Sequence, residues 1–321
     1  MEILNLPITN YAEDPARFFD FARFSGQTDD FIFCAGLHDW SRLKDLKITK
    51  NKKIVQLDLE EPNKFFASRG SKSVYADNDD CFEKIFTICP YTAKWLNEER
   101  QKNKRTAVFF PFNEELIPPI RPKVFDIIYT GHLVNSGVVD DIRQITKYNY
   151  RLVSGSNGEL VTDFNVSYLS KLDLISQSKI TLCHNLLYAR PSQMLNIFKL
   201  KRYWKNKAFK FITPVNFIFS LFRKGALFPA PQIKSRTFEA AFCRSLILCK
   251  KDQFNIIENF FEPNKEFVYY EEGKLSETVD KILANYNNYL PIIENAYRRA
   301  IKEYTTKAFF EKYLKNCFSS E

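Results

Sequence analysis

The sequence predicts an α/β protein of two parallel-sheet domains, joined by a short linker and closed by a C-terminal helix. Three observations carry that expectation. Short apolar runs alternate with polar, helix-compatible stretches from the start of the chain; a proline cluster, Pro118-Pro119-Ile120-Arg121-Pro122, interrupts them; and the same alternation then resumes. With 321 residues, 45% of them hydrophobic, the chain is long enough for two ordinary cores. The expected units are 1–118, 119–290 and a closing helix over 291–321.

In the first unit the candidate strands are Ile3 to Pro7, Phe31 to Ala35, Ile54 to Leu59, Ile85 to Cys89 and Ala107 to Phe110. Asp14 to Phe24 and Thr92 to Lys102 suit helices between them. Loops that follow parallel strands open at the carboxyl edge of the sheet, where ligands bind. Gly36-Leu37-His38-Asp39-Trp40 is such a loop, and His38 beside Asp39 is the candidate catalytic base, because imidazole titrates near neutrality. A loop histidine bonded only to backbone is the bland alternative.

The second unit opens with an apolar strand, Phe125 to Thr130, that ends in Gly131-His132. A helix over Val139 to Lys147 follows. Strand, glycine turn and helix form the outline of a phosphate cradle, although neither the spaced glycines of a dinucleotide site nor a P-loop lysine is present. Next come a strand at Tyr150 to Ser154, a helix over Val166 to Gln177 and a strand from Lys179 to Cys183 that ends in His184-Asn185. A further helix is expected there, interrupted by a basic and aromatic insertion over 197–230.

From Pro231 the chain reads PQIKSRTFEAAFCRSLILCKKDQFNIIENFFEPNKEFVYYEE. A basic turn with Lys234 and Arg236 leads into a short helix carrying Glu239, then into a buried strand, Leu246 to Cys249, and another at Phe267 to Tyr270. Lys and Arg before a helix start suit phosphate charge, and a carboxylate such as Glu239 can accept both hydroxyls of a ribose diol. An Arg236–Glu239 surface pair is the alternative. Leu275 to Tyr289 and Pro291 to Lys315 close the chain as helices.

Arg236-Thr237-Phe238-Glu239-Ala240, Cys243, Phe261-Glu262-Pro263 and Glu266-Phe267-Val268-Tyr269-Tyr270 resemble the C-terminal signature of GT-B glycosyltransferases of the spore-maturation-protein type. The resemblance runs from Pro231 to Phe310 and, more faintly, over Phe125 to Asn185. It implies two Rossmann-like domains facing across a cleft, a closing helix that crosses back over the first, and hexosyl transfer from a nucleotide-sugar donor to a glycan or lipid-linked acceptor. Glu239 would take ribose or sugar hydroxyls, Lys234 and Arg236 the diphosphate, and Gln232, Asn185, Gly131 and His132 the rest of the donor pocket. No resident cofactor or metal is expected, since no DxD-like cluster stands at a strand end. Arg244 stands where the family usually carries Gly, and could add a phosphate contact.

The net charge of +9 is concentrated between Asp173 and Glu239, where twelve Lys and Arg meet no Asp or Glu. Residues 197–224 combine that charge with aromatics, which suits the surface of an anionic membrane. A helix pair packed on the domain is the alternative for the same stretch. Charge alone supports a different class of function, a non-catalytic protein binding nucleic acid or membrane through 174–238; the motifs favour the enzyme and no nucleic acid. The seven cysteines form no CxxC pair and most lie in apolar runs, and the first residues lack a secretory pattern. A cytoplasmic chain with free thiols, peripheral at the inner membrane face, is the expectation.

Overall fold

A computed structural model of the chain describes residues 2–5, 31–35, 53–59, 82–100, 103–133, 136–189, 218 and 228–318. His38, Asp39 and nearly all of the 197–230 insertion lie outside the described residues.

The first sheet holds β1 (Glu2–Asn5), β2 (Phe31–Ala35), β3 (Lys53–Asp58), β4 (Lys84–Thr87) and β5 (Arg105–Ala107), parallel and in chain order. Val55, Leu57, Ile85 and Phe86 are fully buried, which accounts for the near-continuous apolar runs. Helix α1 (Pro90–Arg100) follows β4.

The second sheet draws on β6 (Phe125–Thr130), β7 (Tyr150–Ser154), β8 (Asp163–Phe164) and β9 (Ser178–Cys183). A two-stranded antiparallel ribbon, β10 (Leu186–Ala189) and β11 (Phe228–Pro231), intervenes before β12 (Leu246–Lys250) and β13 (Val268–Tyr270) complete it. The order is β13-β12-β9-β6-β7-β8, all parallel. Chain order therefore reverses between β6 and β9. That reversal opens a crevice at the carboxyl ends of the two strands.

Helices α2 (Ser136–Ile145) and α5 (Leu275–Ala284) cover one face, over Ile127, Tyr129, Leu182 and Leu248. On the other, α3 (Tyr168–Ser176) and α4 (Ser235–Phe242) pack over Ile128, Cys183, Ile247 and Cys249. Lys123 ties the ends of these two helices together, because its ammonium donates to Ser176 O at 2.8 Å and Arg244 O at 2.7 Å.

Several expectations need correction. The residues after Asn185 form a strand rather than a helix: Leu186 to Ala189 pair with Phe228 to Pro231, so the backbone bonds of this stretch run across the ribbon. The closing helix is also not continuous. Helix α6 (Leu290–Glu303) stops where Phe112 N–H donates to Tyr304 O at 3.0 Å and Thr306 N–H donates to Phe112 O at 2.8 Å. Thr305 then caps a new helical segment by accepting from Ala308 N–H. Beyond this joint Phe309 packs edge-on against Phe86 and Phe109 of the first unit, at 5.6 and 5.5 Å between ring centroids. Arg244 stands at the amino end of β12, the edge of the sheet away from the crevice. It adopts the left-handed conformation a glycine would favour, with φ 49°, while its side chain lies over Tyr297 and pairs with Glu294 at 3.3 Å.

Candidate nucleotide-sugar site

The switch-point crevice gathers most of the residues singled out in the second unit. At the end of β6, Gly131 takes a φ of +135° and its N–H donates to Val153 O at 2.8 Å. The missing side chain has a second purpose: a Cβ at Gly131 would stand 2.3 Å from Nη2 of Arg236. Glycine thus lets the guanidinium settle against the turn. His132, next along, is 2.8 Å from Ser156 Oγ through its Nδ1, which joins the loops after β6 and β7.

Arg236 reaches this turn from the first turn of α4. Its guanidinium carbon lies 4.5 Å from the centre of the Tyr129 ring, a favourable position for a cation over an aromatic face. Nη1 is shielded from solvent and has no hydrogen-bond partner among the described residues. Among the described residues no carboxylate lies within ion-pairing distance of Arg236, so the expected alternative, an Arg236–Glu239 surface pair, does not form. A buried donor on a cation without its own anion is matched to an anion from outside.

Glu239, one turn further along α4, is 1% exposed. Its Oε1 accepts from Lys171 Nζ at 2.9 Å and Tyr168 OH at 3.1 Å, both on α3. Oε2 is buried and has no partner among the described residues. The carboxylate is therefore held and partly neutralised at Oε1 and unpaired at Oε2, so a single oxygen, not two, is left for a ligand hydroxyl.

Asn185 and Gln232 both make hydrogen bonds within the protein. Asn185 Oδ1 accepts from Lys234 N–H and from Thr237 Oγ1, each at 3.0 Å, and its backbone carbonyl accepts from Gln232 N–H at 3.0 Å. Its amide nitrogen faces Cys249 Sγ at 3.5 Å. Through these bonds Asn185 positions the start of α4, whose N-cap residue Lys234 makes no side-chain cap. Gln232 is buried, and its Oε1 accepts from Lys234 Nζ.

On the opposite face of the sheet edge, a buried polar cluster follows His184. Tyr270 OH lies 2.9 Å from both Asp141 Oδ2 and His184 Nε2, and Lys250 Nζ is 3.3 Å from the same carboxylate oxygen. Burial first, then the charges of Lys250 and Arg236, hold the His184 ring at a pKa of about 3, so it is neutral at physiological pH. Tyr129, Tyr168, Lys171, Asp141 and Lys250 had no signal in the sequence, and Tyr270 stood out only as part of the signature, with no role attached. Each is placed by strand order or helix packing, and none stands at a telling spacing from Arg236 or Glu239.

A profile of the family described as glycosyl transferase-like matches residues 138–315, more than half of the chain. No curated protein matches it by sequence. Among solved structures, HepE from Anabaena in complex with UDP-glucose aligns with a TM-score of 0.59 at 10% identity, over 90% of this chain and 78% of HepE. Sucrose-phosphate synthase from Thermosynechococcus elongatus gives 0.56 at 10%, over 93% and 76%. A variant of S. aureus TarM, in complex with fondaparinux, α-GlcNAc-glycerol and UDP, gives 0.54 at 12%, over 94% of this chain and 58% of TarM. The chain thus spans under three fifths of TarM. The fold they share with this chain is the GT-B fold, two α/β units with parallel sheets. No described helix is long and apolar enough to cross a membrane.

Proposed function

The chain belongs to the glycosyl transferase-like family, and we propose that it transfers a hexose from a nucleoside diphosphate sugar bound at the crevice between β6 and β9 to a glycan or lipid-linked acceptor. The observation that carries this reading is Arg236: a cation with a buried, unpartnered Nη1, seated against a glycine turn at the switch point. In the proposed complex the diphosphate lies on Arg236 and on the uncapped start of α4, with Lys234 at its rim. A ribose hydroxyl donates to Glu239 Oε2. As the bond to the sugar breaks, negative charge gathers on the diphosphate, and a fixed guanidinium stabilises that charge without a metal ion. HepE and TarM were solved with UDP-glucose or UDP, which supports a uridine nucleotide as the first candidate.

The proposal extends to the acceptor side. The units 1–118 and 119–290 would present acceptor and donor respectively, as in the spore-maturation type that the motifs resemble. Residues 197–224, where eight Lys and Arg stand among aromatics with no Asp or Glu, support attachment to an anionic membrane surface, where a lipid-linked acceptor would be within reach.

The test is a thermal-shift and calorimetry panel of UDP, GDP, ADP and dTDP with their hexose conjugates, in EDTA. A ligand that binds only the folded chain raises its melting temperature by mass action. We expect one nucleotide series to do so, and Arg236→Gln to abolish the shift without unfolding the protein. If no series shifts the parent, the donor site is wrong; if the shift requires a divalent ion, the metal-free reading is wrong.

A further inference from the structure

The proton count in the buried cluster beside the crevice fixes which nitrogen of His184 carries hydrogen. Tyr270 has one hydroxyl proton and two neighbours at 2.9 Å, Asp141 Oδ2 and His184 Nε2. A carboxylate only accepts, so the phenol donates to Asp141, and the phenol oxygen is left to accept from Nε2–H. The second oxygen contact of Nε2, to Asp141 Oδ2 at 3.3 Å, requires the same proton on the same nitrogen. The neutral ring is therefore bare at Nδ1. That lone pair is buried, in a residue 3% exposed, and no described residue donates to it.

An acceptor of this kind cannot be filled by the diphosphate of a nucleotide sugar, whose two bridged phosphates are fully ionised at neutral pH. It requires a hydroxyl or N–H. The placement of the other groups decides which end of a nucleotide sugar supplies it. Glu239 stands on the α3 and α4 side of the sheet. Arg236 crosses the sheet edge to the ring of Tyr129, and His184 lies on the α2 side, edge-on to that same ring with 6.0 Å between centroids. A ligand with its ribose at Glu239 and its diphosphate on Arg236 carries its sugar toward His184.

Given the nucleotide-sugar reading of the crevice, we propose that His184 is a specificity-determining residue whose Nδ1 accepts a hydrogen bond from a hydroxyl of the transferred sugar. Its partners Tyr270 and Asp141 act as positioning residues, holding the tautomer that leaves Nδ1 free. A donor sugar with a hydroxyl at that place is selected because it satisfies a buried acceptor that a bare diphosphate leaves unpaired.

Two substitutions separate this role from a structural one. Gln at 184 places an amide nitrogen near the position of Nε2 and nothing at Nδ1; Asn places an amide oxygen near Nδ1 and nothing at Nε2. With UDP, UDP-glucose, UDP-galactose and UDP-GlcNAc as probes in calorimetry, His184→Gln should bind UDP like the parent and keep its melting temperature. Its affinity for the preferred UDP-sugar should fall about tenfold, the scale of one lost hydrogen bond. His184→Asn should melt lower yet keep the preference among sugars. If His184→Gln does not fold, the sugar preference of His184→Asn decides alone, and its loss overturns the assignment. The assignment is also overturned if His184→Gln binds UDP and UDP-sugars as the parent does, or loses both equally. A parent that binds no nucleoside diphosphate overturns the donor-site reading and this assignment with it.

Discussion

Replacing Gly131 with Ala tests the seat of Arg236 directly. The residue has a φ of +135°, a conformation that costs a side-chain-bearing residue about 1–3 kcal/mol. The added methyl would stand 2.3 Å from Nη2 of Arg236, so the guanidinium must withdraw from the turn and from the Tyr129 ring. Loss of a partly desolvated cation over an aromatic ring adds about 0.5–2 kcal/mol. The sum, about 1.5–5 kcal/mol, should be visible as a lower urea midpoint with unchanged slope. The effect on binding is separate. An arginine displaced from the crevice forfeits a charge-assisted hydrogen bond to the diphosphate, about 1.5–3 kcal/mol, or roughly 10- to 150-fold in affinity. Calorimetric titration with UDP, run well below the denaturation midpoint, measures it. Parent-like UDP affinity in a folded Gly131→Ala would refute the placement of Arg236 as the diphosphate cation.

Two further outcomes are expected. Because His184 is neutral in the fold down to a pKa of about 3 while an unfolded histidine protonates near 6.5, stability should fall as pH drops through that window, by up to about 1.4 kcal/mol per unit. Burial raises the Asp141 carboxyl and works in the opposite sense at the acid end, so the measurement is the difference in urea unfolding between the parent and His184→Gln from pH 7.5 to 4; parallel curves would contradict the buried neutral ring. Lys171→Met should destabilise the fold by about 3–5 kcal/mol, since it leaves Glu239, 1% exposed, without its cation, and the double variant with Glu239→Gln should recover most of that. A loss below about 1 kcal/mol in the single variant would show that the pair is not buried in solution.

Much of this architecture was legible in the chain itself, for a physical reason. Strands buried on both faces must be short apolar runs, as Phe125 to Thr130 and Leu246 to Lys250 are, and helices between them must show a one-sided pattern. Gly131 and the Lys234, Arg236, Glu239 run were equally visible, because a tight turn at a strand end and a basic helix start draw on few residue types. Local sequence determined these. Strand order it did not determine. The reversal between β6 and β9, which makes one sheet edge a crevice, follows from how six strands pair across the whole unit. Only that pairing brought Tyr168 and Lys171 to Glu239, turned Asn185 inward to hold the start of α4, and set Asp141 and Tyr270 against His184. The break after Glu303 likewise depends on Phe112, a residue far away in sequence whose backbone pairs with Tyr304 and Thr306. A helical period is a property of neighbours along the chain, whereas an unpaired buried atom is a property of everything packed around it, so Arg236 Nη1, Glu239 Oε2 and His184 Nδ1 could be found only in the folded molecule.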